Sequence, residues 1–200
     1  SLTKNIPSEA GLGGGSSDAG FFLKLLNEHY GNVYNEKELE ELAMKVGSDI
    51  PFFIKNKTAR VGGKGNKVEL VENNLKDSLI LVKPLGFGVS TKDAYNSFDE
   101  LDEVRYANFE KIVECLRNDN RKDLEKYIEN GLEQGISERN ADIKIFKAIL
   151  NSVVPGKKFF MSGSGSTYYT FVTEIERSQI ETRLRTFVDN VKIIISKTIN

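Results

Sequence analysis

This 200-residue chain has almost no cysteine and no long apolar runs, and its positive and negative charges nearly balance. A single cysteine, Cys115, cannot form an internal disulfide, and no charged-then-apolar signal segment opens the sequence, so we expect a cytoplasmic location. No apolar run approaches the roughly 18 residues of a membrane span, which predicts no role in a membrane.

The charge balance and the overall composition exclude two further classes. The 28 Lys and Arg against 29 Asp and Glu leave a net charge of −1, so no global positive field exists to hold a nucleic acid. With 39% hydrophobic and 28% charged residues, the chain can bury a core and lacks the composition of a disordered protein.

Apolar spacing along the chain predicts a mixed α+β protein. The expected order is a helix over 16–29, a helix capped by Asn35, strands within 57–83, helices between 109 and 153, and a final strand, strand, helix and strand. A polar step at Asn73-Asn74 predicts a division into residues 1–75 and 76–200.

The most informative segment is glycine-rich and runs from Pro7 to Ala19. Its glycines allow backbone N–H groups to turn inward, and the helix that follows offers partial positive charge at its N-terminus, so the segment predicts a phosphate site. The alternative is a flexible turn before a capped helix. A Walker loop is excluded because no Gly-Lys-Ser/Thr follows, and the third glycine of the dinucleotide fingerprint is absent.

The string Gly11-Leu-Gly-Gly-Gly-Ser-Ser-Asp18-Ala19 resembles the phosphate loop of the GHMP kinases. Within that superfamily it is similar to the branch that phosphorylates 4-diphosphocytidyl-2-C-methyl-D-erythritol. Further matches extend the resemblance over the whole chain, at Gly47 to Phe53, Pro84, Gly88 to Thr91 and Met161 to Thr167. The resemblance implies an α+β GHMP fold with an incomplete N-terminal ATP-binding domain (1–75) and a C-terminal domain (76–200). It also implies ATP and Mg²⁺ as cofactors, diphosphocytidyl-methylerythritol as substrate, and a place in non-mevalonate isoprenoid synthesis.

The same resemblance assigns residues to roles. Asp49 is expected to orient the acceptor hydroxyl and to take its proton. ATP is expected to contact Lys4, Pro7, Gly11, Leu12, Gly13, Gly14, Gly15, Ser16 and Ser17, and Ser17 to hold Mg²⁺. The acceptor substrate is expected to contact Thr91, Tyr95, Gly163, Ser164 and Gly165.

Plainer alternatives stay open for these residues. Asp49 can simply cap a short helix, and Ser16 or Ser17 can cap the helix after the loop. Tyr95 can be a half-buried helix aromatic, and Lys4 an exposed strand residue. The glycines 163–165 can form an ordinary hairpin turn. His29 has no assigned role, and Cys115 is expected to serve packing only.

Two departures from the family pattern qualify the resemblance. Where relatives usually read Asn-Asp-Leu-Glu, this chain reads Asn130-Gly131-Leu132-Glu133. Relatives also carry a segment upstream of the phosphate loop that includes a lysine paired with the catalytic aspartate, so a complementing N-terminal segment is expected. The alternatives in function are a GHMP kinase acting on another small alcohol and a fragment that retains the fold without catalysis.

Overall fold

The computed structural model describes residues 2–198, which divide into two compact units. One unit comprises residues 13–73, and the other comprises residues 2–12 together with 74–198. The first residues of the chain therefore group with its C-terminal part. The functional division at residue 75 stays a prediction.

The smaller unit, residues 13–73, is mainly helical. Its elements are α1 (Gly14–His29), α2 (Glu36–Val46), α3 (Ile50–Lys55), β1 (Ala59–Gly62) and β2 (Lys67–Leu70), with the two strands antiparallel. Asn35 begins α2 as predicted: its side chain accepts from the Glu38 N–H, and the Glu38 carboxylate accepts from the Asn35 N–H. This reciprocal capping box satisfies two of the N–H groups at the helix start.

The core of the smaller unit is small. Four buried apolar residues from α2 and α3 form it, namely Leu39, Ala43, Ile50 and Ile54. Helix α1 packs so closely on α3 at Gly20 that a Cβ there would lie 2.7 Å from the Cβ of Phe53. Several apolar side chains of α1 stay exposed, including Phe22 and Leu25 at 60% each.

The larger unit is built on a four-stranded antiparallel sheet of order β4-β5-β3-β6. Its elements are β3 (Ser78–Pro84), α4 (Thr91–Asp99), α5 (Phe109–Arg117), α6 (Arg121–Tyr127), α7 (Gly131–Arg139), α8 (Ala141–Val153), β4 (Phe160–Met161), β5 (Tyr168–Val172), α9 (Glu174–Phe187) and β6 (Val191–Lys197). The observed α+β architecture is the predicted class.

Helices cover both faces of this sheet. On β3, successive side chains point to opposite faces. Ile80 packs in a cluster with residues of α8 and α9, whereas Leu79 packs in a second cluster with residues of α5 and α6. Cys115 is buried in the second cluster, in the packing role expected of it. No helix within residues 2–198 is both long and apolar enough to cross a membrane.

Candidate active site

The first half of the predicted phosphate loop belongs to the larger unit. There Gly11 lies against residues 162–167, a segment called here the C-terminal glycine loop. The Ser162 hydroxyl donates to the Gly11 carbonyl at 2.8 Å, and the Thr167 N–H reaches the Ala10 carbonyl at 3.4 Å. Gly11 has φ +67°, and a Cβ there would lie 2.8 Å from the Gly165 nitrogen. Glycine is therefore required at this close approach.

The second half of the phosphate loop begins the smaller unit. Helix α1 starts at Gly14, two residues earlier than predicted, and Gly13 occupies the N-cap position with φ +62°. The first N–H groups of an α-helix have no partner within the helix. Among the described residues, a Cβ on Gly15 would meet no atom within 4 Å. The helix start is therefore open at the place of a Gly15 side chain, where a ligand can approach the backbone.

The two serines of this segment lie inside the helix and do not cap it. The Ser17 N–H bonds to the Gly13 carbonyl, and the Ser17 hydroxyl donates to the Gly14 carbonyl, both at 2.8 Å. The alternative in which Ser16 or Ser17 caps the helix is therefore wrong.

Asp49 immediately precedes α3. It stands at the N-cap position, yet within the described chain its side chain makes no cap hydrogen bond. Its carboxylate accepts a long hydrogen bond of 3.4 Å from the Ser48 hydroxyl. The interpretation of Asp49 as a helix cap therefore finds no support, and the exposed carboxylate remains able to accept a hydrogen bond.

Backbone packing in the smaller unit supports the position of Asp49. Gly65, in the turn between β1 and β2, approaches the Ser48 backbone so closely that a Cβ would lie 2.9 Å from the Ser48 carbonyl carbon. Phe53 of α3 packs under Gly13, whose Cβ would lie 3.0 Å from the ring. An aromatic side chain of α3 thus packs against the start of α1.

In the larger unit, the predicted substrate residues other than Tyr95 come together at the C-terminal glycine loop. The hydroxyls of Thr91 and Ser164 lie 3.2 Å apart. Gly163 and Gly165 have φ +53° and +87°, and a Cβ on Gly163 would lie 2.8 Å from the Gly11 carbonyl oxygen. The structure therefore brings Thr91, Ser164 and Gly11 to the same loop.

Tyr95 lines a cavity of about 410 Å³ in the larger unit. Its side chain is on α4 and is 54% exposed, so the alternative of a half-buried helix aromatic stays open beside the substrate role. Phe98, Arg105 and Tyr106 line the same cavity, together with the first residues of α7. The cavity thus offers exposed aromatic faces of the kind that stack on a planar ligand.

The remaining predicted residues lie around the first loop. Lys4 is exposed in an irregular segment and not in a strand, and Pro7 and Leu12 are half-buried. The Lys192 ammonium donates to the Asn5 carbonyl at 3.0 Å, which ties this segment to β6.

Comparison with known proteins connects these features to one family. The model of the GHMP kinases N terminal domain matches residues 1–57. Over 199 residues the chain is 78% identical to the 4-diphosphocytidyl-2-C-methyl-D-erythritol kinase of Fusobacterium nucleatum, covering all of this chain and 68% of that protein. The chain belongs to the 4-diphosphocytidyl-2-C-methyl-D-erythritol kinase family.

More distant relatives agree with this assignment. The kinase of the same name from Clostridium botulinum (strain Loch Maree / Type A3) is 35% identical over 185 residues, which are 90% of this chain and 63% of that protein. The chain therefore spans about two thirds of the length of the relatives it matches.

Solved structures confirm the GHMP kinase fold. A crystal structure of 4-(cytidine 5'-diphospho)-2C-methyl-D-erythritol kinase aligns with TM-score 0.77 at 26% identity, covering 98% of this chain and 69% of that one. Homoserine kinase from Cytophaga hutchinsonii aligns with TM-score 0.73 at 17% identity, covering 99% and 68%, and shares the fold alone.

Gly131, where the resemblance implies an aspartate, packs against the facing helix α4. A Cβ at Gly131 would lie 2.5 Å from Cε2 of Phe98, on the facing helix α4. An aspartate therefore cannot occupy this position unless the Phe98 ring moves. In this chain the Phe98 ring takes the space that a side chain at position 131 would need.

Lys83 is a buried charged residue that the sequence did not single out as part of the site. Its side chain is 6% exposed, and its ammonium donates to the Ser166 hydroxyl at 2.7 Å and to the Pro84 and Phe87 carbonyls at 3.0 and 3.1 Å. Burial lowers the pKa of Lys83, and the carboxylate of Glu9 opposes that shift. The available signal was a lone lysine ending the apolar run of β3.

Proposed function

We propose that the protein containing this chain transfers the γ-phosphoryl group of ATP to a hydroxyl of 4-diphosphocytidyl-2-C-methyl-D-erythritol. The observation that carries the proposal is the 78% identity to a kinase of that name across the chain. The reaction would supply precursors for non-mevalonate isoprenoid synthesis. A cytoplasmic location belongs to the same proposal, because a single buried cysteine suits a reducing compartment.

The start of α1 is the proposed phosphate site. Phosphoryl transfer depends mainly on positioning and on neutralising charge that is spread over the phosphate oxygens. The N–H groups after Gly13 supply donors and the positive end of the helix dipole. The open space beside Gly15 leaves room for the phosphates to approach the backbone.

Asp49 is the proposed group that orients the acceptor hydroxyl. A carboxylate can accept a hydrogen bond from an alcohol and take its proton as the phosphoryl group arrives. Its carboxylate is exposed and does not cap α3, so it remains available for this role.

The residues near Ser17 fit a Mg²⁺ ion only in part. No group of three acidic, histidine or cysteine side chains suited to a metal exists in residues 2–198. The Ser17 hydroxyl, however, donates its proton to the Gly14 carbonyl and keeps lone pairs that can bind a hard cation. When bound there with ATP, Mg²⁺ would neutralise phosphate charge.

The C-terminal glycine loop and the cavity beside Tyr95 are the proposed contacts of the acceptor. The Thr91 and Ser164 hydroxyls can donate to and accept from polar substrate groups. The Tyr95 ring can stack on the cytosine base. Gly163 and Gly165 have positive φ, and a Cβ at either would lie 2.8 Å from a neighbouring atom, so this loop conformation depends on glycine at both positions.

The test is a substrate panel with the protein in its full natural length. ATP-dependent phosphorylation is measured with diphosphocytidyl-methylerythritol, homoserine and mevalonate at equal concentrations. We expect turnover of the first compound to exceed that of the others by roughly 10³-fold or more, since specific polar recognition discriminates at this scale. A faster reaction with another alcohol, or no phosphorylation at all, would reject the proposal.

A further inference from the structure

Asn130 connects the start of α7 to the C-terminal glycine loop. Its side-chain oxygen accepts from the Glu133 N–H at 3.3 Å and so caps the helix. Its side-chain nitrogen donates to two carbonyls of the distant segment, Met161 at 2.8 Å and Gly163 at 2.9 Å. Because both carbonyls are acceptors, only the amide nitrogen can face them.

We propose that Asn130 is a positioning residue that sets the shape of the C-terminal glycine loop for the acceptor substrate. The inference rests on the proposed function, because it assigns this loop to acceptor binding. Asn130 acts through the loop backbone, and its proposed effect is on where Ser164 lies.

The position of Gly163 explains why one side chain can have this effect. On one side, the space where a Cβ would lie is closed by the Gly11 carbonyl oxygen at 2.8 Å. From another direction, the Gly163 carbonyl receives the Asn130 amide. The next residue is Ser164, whose hydroxyl lies 3.2 Å from that of Thr91. Turning the Gly163 peptide therefore moves the Ser164 hydroxyl away from Thr91.

The loop has few hydrogen bonds of its own to resist such a turn. Two backbone bonds join residues of the loop to each other, from the Ser162 N–H to the Thr167 carbonyl and from the Gly165 N–H to the Ser162 carbonyl, both at 2.9 Å. Gly163 and Gly165 both have positive φ, a backbone conformation that glycine adopts at no steric cost. The Asn130 amide thus adds to the other ties of the loop, namely the Ser162–Gly11, Thr167–Ala10 and Lys83–Ser166 hydrogen bonds, and reaches the Gly163 carbonyl itself.

A capping role alone does not require asparagine at this position. Serine, threonine and aspartate cap helices about as well, because a cap needs only an acceptor. Asn140 shows the simpler case, since its side chain caps α8 by accepting from the Ile143 N–H at 3.2 Å. In the described part of the chain, the amide of Asn140 has no bond to a distant segment like those of Asn130. The two donors are what set Asn130 apart.

The substitution Asn130→Asp tests the two donors while keeping the cap. Its carboxylate still accepts from the Glu133 N–H, but an oxygen now faces the Met161 and Gly163 carbonyls. We expect the KM for diphosphocytidyl-methylerythritol to rise at least about tenfold, with the KM for ATP changing less than about threefold. The matched control is Asn140→Asp, which keeps a cap of the same kind and should leave both KM values unchanged.

A second measurement reports on the loop without requiring activity. Hydrogen–deuterium exchange of a peptide spanning residues 162–167 should be faster in Asn130→Asp than in Asn140→Asp. Asn130→Ser, which keeps a cap and removes the donors without adding charge, serves as the second variant should the aspartate variant fold poorly. It should change the acceptor KM and the exchange rate in the same direction.

The outcomes separate this inference from the proposed function. Equal acceptor KM values and equal exchange in the Asn130 and Asn140 variants would overturn the positioning role and leave the kinase proposal standing. If the wild-type protein does not phosphorylate diphosphocytidyl-methylerythritol, the proposed function fails and the exchange of residues 162–167 alone decides whether Asn130 holds the loop.

Discussion

The candidate polar groups of the two compact units differ in how far internal hydrogen bonds occupy them. In the smaller unit, the candidate groups make few internal hydrogen bonds or contacts. The Asp49 side chain does not cap its helix, and a side chain at Gly15, in the first turn of α1, would meet no atom within 4 Å. In the larger unit, polar groups beside the C-terminal glycine loop are tied into internal bonds, with Lys83 donating to three acceptors and Asn130 to two.

This difference suggests a division of labour. A side chain that reacts with substrate must have hydrogen-bonding capacity left over, whereas a side chain that shapes a loop uses that capacity internally. The smaller unit is therefore expected to supply the groups that act on phosphate and hydroxyl. The larger unit is expected to supply shape and specificity for the acceptor.

The largest effect is expected from removing the charge at Asp49. Asp49→Asn keeps the shape of the side chain but cannot take the proton of the acceptor, so kcat should fall by roughly 10²-fold or more. The melting temperature should not change, because the carboxylate does not cap α3. Steady-state kinetics and thermal melts measure both quantities.

The control for Asp49 removes a similar charge elsewhere. Asp142 lies in the first turn of α8 and is exposed, so Asp142→Asn should leave kcat unchanged. Wild-type turnover by Asp49→Asn would show that this carboxylate takes no part in the chemistry.

A smaller effect, on nucleotide binding, is expected at Gly15. Gly15→Val fills the open space where phosphate is proposed to lie, so the KM for ATP should rise at least about tenfold. Stability should hold or improve slightly, because valine has a higher helix propensity than glycine. Gly62→Val, in strand β1, is the control of the same kind and should leave the KM for ATP at its wild-type value. An unaltered KM for ATP in Gly15→Val would place the phosphates elsewhere.

The smallest effect concerns packing of the C-terminal glycine loop. Gly163 and Gly156 both have positive φ, but only the Gly163 Cβ would meet an atom closely, the Gly11 carbonyl oxygen at 2.8 Å. At Gly156, nothing in the described chain lies within 4 Å. Gly156→Ala should therefore cost about 1 kcal/mol for its backbone conformation, and Gly163→Ala about 1 kcal/mol more for the contact. Thermal melts of the two variants measure both losses of stability. Equal losses would mean that the loop moves to accommodate the Gly163 Cβ without further cost.

Local patterns allowed much of the fold to be predicted. The capping box at Asn35 and the apolar run of β3 depend on neighbours in the sequence, and both are present in the structure. Helix α7 lies within the range predicted to be helical, but no apolar spacing of its own identified it, because Gly131 and Gly135 weaken its helical signal. Its glycines are explained by tertiary packing, since a Cβ on Gly135 would lie 2.6 Å from the Phe98 nitrogen on α4.

The site was predictable only where a motif is continuous in sequence. The phosphate loop and Asp49 lie in such motifs, and their roles remain predictions. Lys83 gave no comparable signal, and Asn130 was noted only as part of the Asn130-Gly131-Leu132-Glu133 string, because their partners are distant in the chain: Met161 is 31 residues from Asn130, and Ser166 is 83 residues from Lys83. Hydrogen bonds over such separations depend on the fold and cannot be read from local spacing.

The division of labour is tested most directly by measuring kcat and both KM values for Asp49→Asn and Asn130→Asp in one assay with the full-length protein. The account predicts a large fall in kcat with near-normal KM values for the first variant, and a raised acceptor KM with a near-normal KM for ATP for the second. If both variants changed the same parameter by the same factor, the separation of chemical and positioning roles between the two units would be contradicted.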